Sequence, residues 1–222
     1  MTKVQLTRSR IIGAAMDLIE AEGLVAVSMT RLATELGCGL IPLYSHVPST
    51  AALLDSIAAT ITSGHDAGPQ ASAGVGWADQ IRMHARAIRQ ASRAYPRCGV
   101  AVAGRKPVTD AMLRPTEQAL AILRTAGFGG SDSVRIERAV AAYLTGSLVR
   151  EVGGAAGLSD GLDGLDGLDG NNRRPRLRPA EFPQITGLAA ELARADPEAD
   201  FELGLDLLVR GMTALLAVRA GG

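Results

Sequence analysis

The chain has 222 residues, of which 47% are hydrophobic and 3% aromatic, and its 23 basic residues are balanced by 23 acidic ones. That length exceeds a typical domain of ~100 to 150 residues and points to two folded units, while the zero net charge offers no bulk attraction to nucleic acid or to a membrane surface. Cys38 and Cys98 are too few and too far apart for a disulfide framework or a zinc site, so Cys38 is expected simply to pack.

In chain order, the Thr7 hydroxyl is placed to cap a first helix in which Ile11, Ala15, Leu18 and Ile19 recur at helical spacing, and Gly23 ends it. Ser28 is the expected cap of a second helix. There Leu32 and Leu36 stand four apart on one face, and Ala33 is small where another helix must come close. Gly37 stops that helix, because glycine takes the left-handed backbone of a tight turn without a side-chain penalty. Cys38, Leu43 and Val47 return apolar groups to the same core, and a short third helix is predicted over residues 40 to 47. Pro48 forbids its continuation, and Ser49 caps a fourth helix carrying Leu53, Leu54, Ile57 and Ile61. The spacing over residues 28 to 47 is that of a helix-turn-helix, whose short second helix is the unit that enters a DNA major groove.

Charge gives this head no strong footprint. Residues 1 to 62 hold four bases (Lys3, Arg8, Arg10 and Arg31) against five acids, a net of minus one. The bases cluster near the entrance of the first helix and on the second, where a phosphate backbone would run, so affinity for DNA is expected to fall with salt.

From residue 63 to 76 the sequence turns small and Gly-rich, a loop leading into a second domain over residues 63 to 222. The next helix carries Trp77, Ile81, His84, Ile88, Ala91 and Tyr95 at spacings of four and three. Beside that stripe run Arg82, Arg86, Arg89 and Arg93, read as a solvated, ion-paired face. Pro96 breaks the helix, a short segment covers residues 97 to 104, and helical sequence over 109 to 126 is predicted to restart at Pro115. Two long helices follow. One carries Ile136, Val140, Leu144, Leu148 and Val152, and the last carries Phe201, Leu205, Leu208, Met212 and Leu215. Their continuous stripes meet the requirement of a helical dimer seam, or else are filled within one subunit. Between them, residues 153 to 179 repeat Gly and Asp every third position, which cannot bury a core, so a flexible loop is expected. Asp160, Asp163, Asp166 and Asp169 lack the spacing of a calcium-binding loop, and neither a metal site nor a cofactor is expected.

Residues 6 to 61, with Leu-Tyr-Ser-His-Val at 43 to 47 and Ala-Leu-Leu-Asp at 52 to 55, resemble the DNA-binding domain of the tetracycline-repressor (TetR) family. The likeness is to the branch that holds the tetracycline repressors themselves. It continues through Trp77, Gly-Arg-Lys-Pro at 104 to 107, Ala-Gly-Phe at 126 to 128 and Phe-Glu-Leu-Gly-Leu-Asp at 201 to 206. It implies an all-α fold, an N-terminal three-helix DNA-binding domain and a larger helical domain for ligand binding and dimerisation. Double-stranded operator DNA, a small-molecule effector and a second copy of the chain are the partners implied, the long helices of two subunits forming a four-helix bundle.

The DNA-contacting set that the resemblance implies is Thr30, Arg31, Leu40, Ile41, Leu43, Tyr44, Ser45, His46 and Thr50. Tyr44 and Thr50 fall at phosphate-contacting positions, and Thr30, Leu40 and Ile41 at base-contacting ones. Leu40 and Ile41 stand where long polar side chains would offer bidentate hydrogen bonds, so they either touch thymine methyls or pack beneath the helix. Thr50 replaces a lysine of the similar repressors. His46 either reaches a base or phosphate or bonds the backbone of its own helix end.

The effector set implied in the second domain, around a pocket lined by its first four helices, is His84, Ile88, Val102, Arg105, Tyr143 and Arg150. Val102, Arg105 and Arg150 fall where the tetracycline repressors use a His, a Thr and a Glu around magnesium. Val and Arg cannot hold that cation, so a metal-free, mostly apolar ligand is expected, with an acidic or carbonyl group met by Arg105, Arg150 or His84. His84 also fits a satisfied core histidine.

No stretch approaches the ~18 apolar residues of a membrane span, and no signal peptide precedes the first helix, so a cytoplasmic protein is expected. The expected function is that of a homodimeric repressor released from its operator by a small molecule other than magnesium-tetracycline. A helical ligand-binding dimer with degenerate DNA contacts is the alternative within the fold. An enzyme is disfavoured because three histidines and two cysteines form no nucleophile-base pair at a recognisable spacing.

Overall fold

The computed structural model describes residues 6–63, 74–106, 108–153, 180–194 and 196–220, so the Gly-rich connection over 64–73 and nearly all of the Gly/Asp-rich segment at 153–179 lie outside the described residues. Among the described residues every regular element is helical.

Side-chain caps set the helix starts of the head. Thr7, in extended backbone, accepts from the Arg10 N–H and opens α1 (Arg8–Glu22). Ser28 accepts from the Arg31 N–H and opens α2 (Met29–Glu35). The turn after α2 closes when the Cys38 N–H bonds the Ala33 carbonyl at 2.9 Å and the Gly37 N–H bonds the Thr34 carbonyl at 3.1 Å. That pairing places Gly37 at φ 62°, a left-handed conformation in which other residues are strained. α3 (Leu40–His46) follows directly, and Ser49 accepts from the Ala52 N–H at the start of α4 (Thr50–Ser63). Ile11, Ala15, Ile19, Leu32, Leu43, Val47, Leu53 and Ile57 are buried together in one core, with Cys38 half-buried against it.

The second part comprises α5 (Trp77–Ala94), α6 (Pro96–Val102), α7 (Asp110–Thr125), α8 (Gly130–Val152), the short α9 (Pro183–Gly187) and α10 (Ala189–Ala193), and α11 (Pro197–Ala220). Its core gathers Ile81 and Ala85 of α5, Leu123 of α7, Phe128, Ile136 and Val140, and Phe201, Leu205, Val209 and Met212 of α11. Trp77 meets Phe128 edge-on, with ring centroids 5.5 Å apart. No described helix is long and apolar enough to cross a membrane.

Three expectations are refined. α7 runs unbroken through Pro115 instead of restarting there; the helix loses only the bond to the Ala111 carbonyl, and Ala119 and Leu123 anchor it downstream. Of the stripes read as a dimer seam or an internal core, Ile136, Val140, Leu148, Phe201, Leu205 and Met212 are buried inside the chain, Leu144, Val152 and Leu208 are half-buried, and Leu215 is exposed. The arginine face of α5 is ion-paired, as expected, but it is covered by α11 rather than by solvent alone. Arg82 bonds Asp206 at 2.8 Å, Arg86 clasps Glu202 through two bonds of 2.7 and 2.6 Å, and Arg89 and Arg93 reach Glu198 at 2.7 and 2.9 Å. Arg89 is only 6% exposed; it also bonds Glu151 and the Pro197 carbonyl and lies 4.3 Å from the Phe201 ring centroid.

The partner guanidinium groups, Arg89, Arg86 and Arg82 foremost in turn, hold the carboxyls of Glu198, Glu202 and Asp206 below their ordinary values. A depressed carboxylate stabilises the fold fully above its unfolded pKa, near 4, and that contribution disappears as pH falls through the folded value. The urea midpoint is therefore expected to stay level from pH 7 to 5 and to drop below about pH 4. A double Arg82→Met and Arg86→Met variant should start lower at pH 7 and lose less on acidification; an unchanged acid response would disprove the ladder.

Candidate nucleic-acid interface and effector region

α3 is oriented by Leu43 and Val47, four residues apart and both fully buried in the head's core. The opposite face is thereby turned outward, and Leu40, Ile41, Tyr44, Ser45 and His46 are all exposed. Leu40 is 41% and Ile41 86% exposed, so neither packs beneath the helix. Leu43 is a correction to the expected contact set, because its side chain holds the helix from within. The Ser45 hydroxyl donates to the Pro42 carbonyl at 2.7 Å. Thr30 is exposed at the start of α2, and Thr50 is half-buried as the first residue of α4. Arg31, expected at a phosphate, is paired with Glu22 at 2.8 Å and lies 3.9 Å from Glu35.

Behind this surface α6 is seated on the head at both ends. The Glu20 carboxylate of α1 accepts the Cys98 N–H at 2.8 Å and the Arg97 N–H at 3.3 Å, satisfying backbone donors that the first turn of α6 cannot pair internally. In return, the Arg97 guanidinium donates to the Glu20 and Ala21 carbonyls at 2.9 and 3.0 Å, in the last turn of α1. Just beyond the other end of α6, Arg105 bonds Asp55 of α4 at 2.9 and 2.5 Å and the Ala51 carbonyl at 3.2 Å. Cys98 is fully buried in the head's core, where burial first and Glu20 second push its thiol up to about 12. It stays protonated at neutral pH and is no nucleophile.

Two of the expected effector residues take part in this seating. Val102 packs against the head's core, and Arg105 is engaged with Asp55; both serve the junction between head and second domain. The Tyr143 hydroxyl donates to the Phe201 carbonyl at 2.7 Å, and its ring stacks on Phe201 at 5.7 Å. It fills the space left by Gly204, where a side chain would collide with the Tyr143 ring. Arg150 is exposed near the end of α8. Of the six residues, only buried His84 and half-buried Ile88 share one face of α5, a turn apart. A separate cavity of about 510 Å³ opens on another side of α5, lined by Arg86, Arg89, Gln90, Arg93, Ala94 and Glu198. Among the described residues no three His, Cys, Asp or Glu side chains are grouped to hold a metal.

Sequence reasoning missed Glu20, Arg97 and Asp55. Their partners lie 50 residues or more away along the chain, and no local spacing announces such pairs. An outward recognition helix carried on a second helical domain defines a helix-turn-helix regulator, and the comparisons agree. Residues 69–216 match the family described as tetracyclin repressor-like, C-terminal domain. Over 222 residues the chain is 27% identical to the tetracycline repressor protein class D of Escherichia coli, covering 98% of this chain and 95% of the repressor. It is 30% identical to an HTH-type transcriptional regulator of Saccharopolyspora erythraea, over 96% of this chain and 87% of that protein. Apo ActR of Streptomyces coelicolor superimposes with a TM-score of 0.78 at 28% identity, over 96% of this chain and 98% of ActR. ActR in complex with actinorhodin superimposes at 0.74, also with 28% identity, over 96% of this chain and 99% of ActR. The chain belongs to the TetR family of transcriptional regulators.

The junction pair has a measurable worth. Arg105→Ala and Asp55→Ala are each expected to lower the unfolding free energy in urea by about 1 to 3 kcal/mol, and the double variant by less than the sum. Strict additivity would mean that the two side chains do not interact.

Proposed function

We propose that the chain is a homodimeric repressor that sets its two α3 helices in successive major grooves of an operator and leaves the DNA when a small molecule binds the second domain. The observation that carries this reading is the outward, unpartnered face of α3, held rigidly by Leu43 and Val47 and continuous through the head with α6. Half-sites about one helical turn apart, ~34 Å, require two such heads in fixed register. A pairing surface is available in a second apolar stripe of α11, opposite the one buried inside the chain. Leu203, Leu207, Gly211, Ala214 and Val218 are exposed there, and Val134, Ala141, Thr145 and Val149 are exposed on α8.

The effector is a metal-free compound, mostly apolar, with an acidic or carbonyl group directed to the region of His84 and Ile88. Arg105 is committed to Asp55, and Val102 and Arg150 bring no oxygen or neutral nitrogen ligand for a cation. ActR, solved with actinorhodin, supports a small-molecule effector by likeness. Release from DNA needs only that the effector favour an arrangement of the two heads that does not match the operator spacing.

Leu207→Glu places two charges in an apolar seam and is expected to convert the dimer to monomer in sedimentation analysis, with loss of operator retardation; a dimer that persists would place the seam elsewhere. Wild-type protein should retard duplex DNA flanking its own gene. A compound selected by thermal shift should dissolve that complex equally with and without chelator. Strictly magnesium-dependent release would overturn the metal-free effector, and no retardation even at low salt would favour a ligand-binding dimer with degenerate DNA contacts.

A further inference from the structure

We propose that the recognition corner reads its operator mainly through the 5-methyl groups of thymine, with Ile41 and Leu40 as the selecting side chains. The inference rests on the head being the DNA reader described above. Leu40, Ile41 and Pro42 form a contiguous exposed apolar tip at the N-terminal end of α3, the end that reaches base edges in a helix-turn-helix. Ile41 is 86% exposed, so nearly its whole branched side chain is free to lose water against a partner. In the major groove the base edges present hydrogen-bonding atoms with one apolar exception, the thymine methyl.

Apart from the exposed Thr30 hydroxyl on α2, the polar routes to specificity are weak at this corner. α3 reads Leu-Ile-Pro-Leu-Tyr-Ser-His and contains no Arg, Lys, Asn or Gln, the residues that make paired bonds to guanine or adenine. The Ser45 hydroxyl proton is given to the Pro42 carbonyl. Arg31 is drawn to Glu22 and Glu35. His46 stands at the C-terminal end of the helix, five residues on from Ile41. Two ridges result. Leu40 and Tyr44 lie four apart on one, Ile41 and Ser45 on the next, so each ridge joins an apolar group near the bases to a hydroxyl further along. Each of the two apolar groups is thereby assigned one thymine methyl of a half-site.

The test alters the DNA and leaves the protein intact. The tightest duplex is selected from a randomised pool with wild-type protein, and each thymine of its half-site is replaced in turn by uracil, which removes the methyl and keeps every hydrogen bond. Replacement at the positions facing Ile41 and Leu40 is expected to weaken binding about fourfold per methyl, the effect of exposing one buried carbon. In Ile41→Ala, uracil at the position facing residue 41 should cost nothing further, while its effect at the other position persists. A selected half-site without thymine, or wild-type affinity indifferent to uracil throughout, overturns methyl readout while leaving the head a DNA reader. Failure to select any duplex at low salt overturns the DNA reading itself, and the methyl readout with it.

Discussion

The structure depends on the two-ended seating of α6. A seven-residue helix has few internal bonds of its own, and its first N–H groups need partners from outside. Glu20 supplies them from α1, Arg97 returns donors to the unpaired carbonyls of α1, and Arg105 repeats the linkage at α4 through Asp55. Cys98 then closes the arrangement by entering the head's core. Two cores, one in the head and one among α5, α7, α8 and α11, thus share a short rod pinned to two different head helices.

That arrangement joins the recognition helix to α6. α3 is fixed to the head by Leu43 and Val47, and the head is fixed to α6, so a shift of α6 must carry the recognition face with it or break charge-assisted bonds. The arginine ladder ties α5 to α11 in the same way, through charge-assisted bonds. Arg89, buried and satisfied by Glu151, Glu198 and the Pro197 carbonyl, is the interior member of that ladder.

Much of the head was legible in the sequence, because its determinants are local. Thr7, Ser28 and Ser49 cap the helices they were expected to cap, and Gly37 adopts the left-handed turn its position demanded. Periodicity also marked the inward faces of α5, α8 and α11. It could not tell a core stripe from a seam, since both are apolar at the same spacing; only burial showed that Phe201 and Leu205 fill the chain's own core while Leu203 and Leu207 stay outside. Residue-by-residue alignment gave no sign of what Val102, Arg105 and Tyr143 meet within the chain, because a side chain's surroundings are set by what lies across from it. Asp55 lies across from Arg105, and Phe201 from Tyr143, and no pattern along the chain carries that information.

The central claim is that α6 and the head form one unit, and hydrogen exchange on the full chain tests it most directly. In a Glu20→Gln, Arg105→Met variant, amides of α6, of the last turn of α1 and of α4 are expected to lose protection together, while those of α5, α8 and α11 stay as protected as in the wild type. Loss of protection confined to α6, with α1 and α4 unchanged, would contradict the account.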